Sequence, residues 1–288
     1  MKLGVALRLA RVSNLPTVWT NVAVGAILAG CGYDVRALMA TMVALSLFYS
    51  AGMFLNDAYD SEFDAKFRPD RPIPAGEASA AEVFASGYAM FGAGLLLLVW
   101  MGAGGGTSLR WHAALTAILL AGAIVVYDRW HKNNPLSPLV MGVCRMLVYF
   151  ASALAACPAL SPSVIAAGAV SVCYLVGLTY SAKQEHLAEP GGRWPLLFLA
   201  VPILYGAWWG GLQGSLFCAA FAVWVGLSLR LLLRRRPGDV GRGVVRLIAG
   251  ISLLDAVFLA GVGAWGAVAF AVVAFAATLA CQRWVSGT

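Results

Sequence analysis

The chain has 288 residues, of which 61% are hydrophobic and only 11% charged, against roughly 25% charged in soluble domains. A water-soluble fold of this length is excluded, because so much apolar surface cannot be hidden from water. The net charge of +7 does not indicate a nucleic-acid partner, since nearly all the cations stand between apolar runs and not on one solvated basic face.

In chain order, apolar stretches run near 15–31, 36–55, 80–101, 110–127, 137–156, 162–181, 194–210, 213–233, 242–261 and 264–282. Each approaches the ~20 residues that a membrane-crossing helix needs. The expectation is an all-α polytopic membrane protein, a single transmembrane domain over 1–288. Nine to ten transmembrane helices are expected, nine if two of the closely spaced last four merge. With the N-terminus cytoplasmic, all but Arg36 and Arg110 of the 20 Lys and Arg residues fall on the cytoplasmic side, as the positive-inside rule requires. The run ending Leu28-Ala29-Gly30-Cys31 also has the form of a lipoprotein signal with lipidation at Cys31, although a first membrane helix is the main expectation. The six cysteines form no CxxC, so neither a zinc site nor a disulfide framework is expected. His112, His131 and His186 are isolated and read as helix-end residues.

The connection after the second stretch, NDAYDSEFDAKFRPDRPIPAG from Asn56 to Gly76, breaks the apolar pattern. Asn56, Asp60 and Asp64 are spaced i, i+4, i+8, which on a helix aligns three oxygen-bearing side chains on one face. Asp57 points elsewhere, in a supporting position. Carboxylate and amide oxygens are the hard ligands of Mg²⁺, which is commonly completed by substrate phosphates. Arg68 and Arg71 follow in a turn stiffened by Pro72 and Pro74, and an Arg fork suits phosphate oxygens.

NDxxDxxxD followed by RPDRPIPxG resembles the first aspartate-rich motif of the UbiA superfamily of intramembrane prenyltransferases. Two further segments are similar to the same family: RLARVSNLPTVWTN (8–21), and Tyr127-Asp128-Arg129-Trp130-His131-Lys132 followed by Asn134-Pro135. The phrases SNLPTVWTN, NPLSPLVMGVCRMLVY and GLTYSAKQE resemble its EboC-type members. The resemblance implies a UbiA-like helical bundle in which a prenyl group passes from a polyprenyl diphosphate to a lipophilic or aromatic acceptor. Asp60, Asp64, Tyr127 and Lys132 would then be catalytic, Arg68, Arg71, Lys132 and Lys183 would hold the diphosphate, and Asn56, Asp60, Asp64, Glu185 and Glu189 would hold Mg²⁺. Glu185 and Glu189 replace the aspartates of the family's second acidic motif. That departure leaves open a non-catalytic isoprenoid-binding or transport protein on the same scaffold. Tyr59, Tyr127, Tyr149 and Tyr180 are candidates to face an allylic cation. The implied location is a bacterial inner membrane, with the acidic motifs on the cytoplasmic side.

Asp255 lies inside the ninth apolar run. A carboxylate there is costly, and is either a functional group or a hydrogen-bonded packing residue. Arg145, near the start of the fifth stretch, either approaches the head group or snorkels to the interface.

Overall fold

The computed structural model describes residues 1–103, 111–132, 134–184, 192–209, 211–285 and 287, with no account of the side chains at 102, 103, 212 and 213. The helices in order are α1 (Leu3–Leu9), α2 (Leu15–Leu28), α3 (Val35–Tyr59), α4 (Ser61–Phe67), α5 (Ala80–Ala103), α6 (Trp111–Trp130), α7 (Ser137–Ala156), α8 (Pro162–Lys183), α9 (Ala200–Trp209), α10 (Gly211–Arg234), α11 (Asp239–Gly261) and α12 (Trp265–Cys281). Short 3₁₀ segments at Val12–Asn14 and Trp194–Leu199 lead into α2 and α9. No strand is present among the described residues.

Each of the ten apolar stretches falls on one of these helices. Seven helices, α3, α5, α6, α7, α8, α10 and α11, are long and apolar enough to cross a membrane, whereas the helical segments Val12–Leu28, Trp194–Trp209 and Trp265–Cys281 are shorter. Leu96, Trp100, Leu204 and Leu216 project outward and are 69–72% exposed. Such a surface is stable against lipid tails and not against water. The protein is an integral multi-pass membrane protein.

Among the seven long helices α11 is the most deeply buried, whereas α5, α6 and α10 keep most of their surface outward. Helices α3 and α5 pack closely because Gly87 and Gly94 lie between them. A Cβ at Gly94 would stand 2.9 Å from the Ala44 carbonyl oxygen and from the Phe48 ring. Small residues that let backbones approach are the usual means of joining membrane helices.

Helix α2 is buried within the bundle through Val18, Val22 and Val24, so the stretch suspected as a signal segment is one of its packed helices. At its end Cys31 is joined to Cys157, 126 positions further along the chain, with Cα atoms 5.7 Å apart. This corrects the expectation that the cysteines form no disulfide. Helices α2 and α7 pack side by side and finish at the same end of the bundle, which brings two distant cysteines within bridging range. Nearby, the Ser161 hydroxyl donates to the Leu28 carbonyl at 2.6 Å and its oxygen caps α8 at the Val164 N–H.

Candidate active site

At the opposite end of the bundle, α3 runs into α4 through Asp60, whose backbone leaves helical geometry. The hydrogen-bond ladder nevertheless continues. The Asp60 N–H donates to the Asn56 carbonyl at 2.9 Å, Asp64 to Asp60 at 2.8 Å and Arg68 to Asp64 at 2.7 Å. The i, i+4, i+8 register of Asn56, Asp60 and Asp64 therefore survives the junction, and all three line one cavity of about 560 Å³. The chain then turns back through Arg68–Gly76, with the Ala75 N–H bonded to the Arg71 carbonyl at 2.9 Å and Gly76 at φ +73°. Arg68 and Arg71 line the same cavity.

The connection between α6 and α7 closes another side. The Lys132 ammonium lies 2.8 Å from Asp60 Oδ1 and 3.9 Å from the centre of the Phe63 ring. His131 Nε2 lies 3.5 Å from Asp60 Oδ2, and its ring stacks on Tyr127 with centroids 5.0 Å apart. Lys183, at the end of α8, donates to the carbonyls of His131 and Asn134 and to the Ser137 hydroxyl at 2.8–3.0 Å. It lines the cavity while tying α8 to the α6–α7 connection. Deeper in, the lining becomes apolar, with Met141, Leu175, Leu178, Ile248 and Ile251.

Charge is distributed unequally. Asp57 is buried and accepts from Arg11 at 2.9 Å and Arg71 at 2.8 Å, and Arg71 also reaches Asp64 at 3.1 Å. Arg11 is presented by a backbone turn of φ +44°, a left-handed conformation uncommon outside glycine. Burial raises the Asp60 carboxyl's pKa, but the hydrogen bonds and charges of His131 and Lys132 outweigh it and hold Asp60 below the ordinary carboxylate range. Burial wins at Asp64, whose pKa is raised despite Arg71, with Asp57 and Asp60 adding to the rise.

Among the described residues no three His, Cys, Asp or Glu side chains gather into a metal cage. Asn56, Asp60 and Asp64 instead present oxygen donors to one cavity, a set suited to a hard cation whose shell is completed by phosphates. Beside them the Asn56 amide donates to Asp128 Oδ1 at 3.3 Å, and Asp128 Oδ2 is buried without a hydrogen-bond partner. Asp128 does not line the cavity, and through this bond it holds the Asn56 side chain from behind the oxygen face.

Glu185 and Glu189 lie outside the described residues. Of the four tyrosines considered for cation stabilisation, Tyr127 lines the cavity. The hydroxyls of the other three are engaged elsewhere: Tyr59 with Tyr88, Tyr149 with Asp255, and Tyr180 with the Gly192 carbonyl. The chain layout gives a residue's depth, but the tilt and packing of each helix decide which face meets the cavity. Tyr49, Arg11, Asn14 and His131 line the cavity without having been singled out for it. Arg11 and Asn14 had a signal, since both lie in the segment 8–21. Tyr49 had none, because it sits within an apolar run.

A model of the UbiA prenyltransferase family matches residues 17–244. A digeranylgeranylglyceryl phosphate synthase of Methanopyrus kandleri is 31% identical over 270 residues, covering 91% of this chain and 90% of the relative. A protein of the same name from Methanospirillum hungatei is 26% identical over 223 residues, covering 72% and 69%. Two UbiA homologues of solved structure share the fold. The one from Aeropyrum pernix has TM-score 0.62 and 16% identity, covering 86% of this chain and 96% of its own. The one from Archaeoglobus fulgidus, bound to GPP and Mg²⁺, has TM-score 0.56 and 12% identity, covering 94% and 99%.

Proposed function

Because the chain belongs to the UbiA prenyltransferase family, we propose that it transfers a prenyl group from a polyprenyl diphosphate to a lipophilic or aromatic acceptor inside the membrane. One observation carries the reading: a single cavity joins the oxygen face of Asn56, Asp60 and Asp64 to Arg68, Arg71, Lys132 and Lys183 at its mouth, and to an apolar interior. That sequence of surfaces suits a molecule with a diphosphate head and a hydrocarbon tail.

In this reading the diphosphate rests on Arg68, Arg71 and Lys132, whose fixed positive charge stabilises the negative charge that develops as the C1–O bond breaks. Bound at Asn56, Asp60 and Asp64, Mg²⁺ supplies further neutralisation of the leaving diphosphate. Asp57 orients Arg71, and Arg11 from the other side shares its carboxylate. Tyr127, stacked on His131, offers a ring to the allylic carbon as positive charge appears there. The acceptor forms the new bond to C1 and loses a proton. The apolar lining excludes water, which would otherwise capture the cation. Lys183 braces the mouth through the α6–α7 connection, and Glu185 and Glu189 remain candidate ligands of a second metal ion.

Positive-inside asymmetry supports a cytoplasmic mouth for the cavity, in a bundle of nine to ten membrane-crossing segments. The test is diphosphate release by the purified protein in lipid nanodiscs with Mg²⁺, prenyl diphosphates of graded length and a panel of acceptors. The relatives' name puts a prenylated glyceryl phosphate on that panel beside aromatic acceptors. Release that depends on both Mg²⁺ and an acceptor, with the prenylated product found by mass spectrometry, is the expected result. Tight diphosphate binding with no turnover on any acceptor would favour a non-catalytic isoprenoid-binding protein.

A further inference from the structure

Arg145 stands on α7 eight residues beyond Ser137, about 12 Å further along the helix axis at ~1.5 Å per residue. Ser137 itself belongs to the mouth, since its hydroxyl accepts from Lys183. Arg145 lines the same cavity. Its Nη1 donates to Asn21 Oδ1 at 2.5 Å. Asn21 is fully buried, and its amide nitrogen donates to Asp255 Oδ2 at 2.6 Å and to the Tyr149 hydroxyl oxygen at 3.0 Å. Asp255, also fully buried, accepts in addition from Thr20 and Tyr149, each at 2.5 Å.

These contacts form a directional chain. With its nitrogen committed to Asp255 and Tyr149, Asn21 can present only its oxygen to Arg145. Asp255 therefore sets the amide's orientation, and the amide sets the position of the guanidinium. A carboxylate placed this deep is costly, and a core built only for packing would use apolar side chains at these positions. Four of the other cations of the cavity are differently engaged. Arg11, Arg71 and Lys132 pair with carboxylates, and Lys183 is held by two carbonyls and a hydroxyl. Arg145 pairs directly with no carboxylate among the described residues and makes one hydrogen bond, leaving further N–H donors for the cavity.

We infer that Arg145 receives an anionic group of the acceptor, a phosphate or a carboxylate, two helical turns deeper than the diphosphate mouth, and that Asn21 and Asp255 are the positioning residues that aim it. The inference rests on the prenyl-transfer reading for the word acceptor, but the anion site itself is testable without turnover.

The test measures binding to the full-length protein in phosphatidylcholine nanodiscs. The probes are lysophosphatidic acid for the phosphate, oleic acid for the carboxylate and monoacylglycerol as the neutral counterpart, with geranyl diphosphate plus Mg²⁺ measured separately. The wild type is expected to prefer at least one anionic probe over monoacylglycerol, and the stronger of the two identifies the anion. Arg145→Gln should weaken that probe by about 10- to 100-fold, the range for losing a charge-assisted hydrogen bond, and leave geranyl diphosphate unchanged. Arg145→Lys should recover part of the loss, and Asp255→Asn should weaken the same probe while sparing monoacylglycerol. Should Asp255→Asn fail to fold, the Arg145 pair decides alone. The inference is overturned if Arg145→Gln loses geranyl diphosphate binding to the same extent, or if anionic and neutral probes bind the wild type equally. Anion binding that depends on Arg145 in a protein without turnover would remove the prenyl-transfer reading and keep the site. Turnover with anion binding indifferent to Arg145→Gln would do the reverse.

Discussion

The Lys132 ammonium lies 2.8 Å from the Asp60 carboxylate, although the two residues come from different connections, one after α3 and the other after α6. Their pairing places the proposed diphosphate cation directly against the proposed metal ligand. The two roles make different demands, so the variants should separate. Asp60→Asn should abolish the Mg²⁺ dependence of geranyl diphosphate binding and lower the rate of diphosphate release by about 100-fold, the scale on which removing a charge-stabilising group acts. Lys132→Gln should keep the Mg²⁺ dependence and weaken diphosphate binding by roughly 10-fold, the loss of one charge-assisted contact. Titration of binding with Mg²⁺ in both variants is the measurement. Unaltered Mg²⁺ dependence in Asp60→Asn would remove Asp60 from the metal site.

Asp57 is the shared anchor of Arg11 and Arg71, whose side chains are only 15% and 12% exposed. Deleting one member of a buried charge cluster leaves the others uncompensated, at a cost of about 3 kcal/mol. Asp57→Ala should therefore lower the apparent melting temperature by several degrees and weaken diphosphate binding as Arg71 loses its orientation. Asp57→Glu should restore part of both. Thermal unfolding in detergent followed by a thiol-reactive dye reads the first effect, and a melting temperature equal to that of wild type would show that the arginines are held by other means.

Asp60 and Asp64 should titrate apart. His131 and Lys132 hold Asp60 below the ordinary carboxylate range, whereas burial raises Asp64. A metal ligand must be deprotonated to bind. As pH falls, Asp64 takes up its proton first, above the ordinary Asp value of about 4, while Asp60 stays ionised. Mg²⁺-dependent diphosphate binding should decline through that first step. The diphosphate itself also titrates, so the informative quantity is the ratio of wild type to Asp64→Asn at each pH. The ratio should fall toward one on acidification. A ratio that is constant across the range would exclude Asp64 as the titrating ligand.

Much of this architecture is written in the chain. The apolar runs mark the helices because each must cross or enter hydrocarbon, and the segment 56–76 stands out because it joins five acids to arginines and prolines between two apolar runs. The spacing of Asn56, Asp60 and Asp64 survives even though Asp60 interrupts the helix, because the i→i−4 hydrogen bonds pass through it. What the chain does not reveal is rotation. Tyr149 and Tyr127 occupy comparable sequence contexts, yet one faces Asp255 and the other the cavity. Asp255 is recognisable as costly, but its donors Thr20, Asn21 and Tyr149 come from two helices whose adjacency to α11 has no local signal.

The link between Cys31 and Cys157 offers a test of orientation. Their Cα atoms are 5.7 Å apart, within the range a disulfide spans, and both lie at the bundle end opposite the acidic mouth. Disulfides persist in oxidising compartments and are rare in the cytosol. With the mouth cytoplasmic, as the cation asymmetry supports, this end faces the oxidising side and the bond should form in the cell. Intact cells treated with a membrane-impermeant maleimide should show no labelling at Cys31 or Cys157 until a reductant is added. Cys157→Ser should then expose Cys31 to the reagent from outside. An arginine-to-cysteine reporter at Arg68 should label only after the membrane is permeabilised. Labelling of the reporter in intact cells, with Cys31 protected there in Cys157→Ser, would invert the orientation and place the proposed diphosphate site on the opposite face of the membrane.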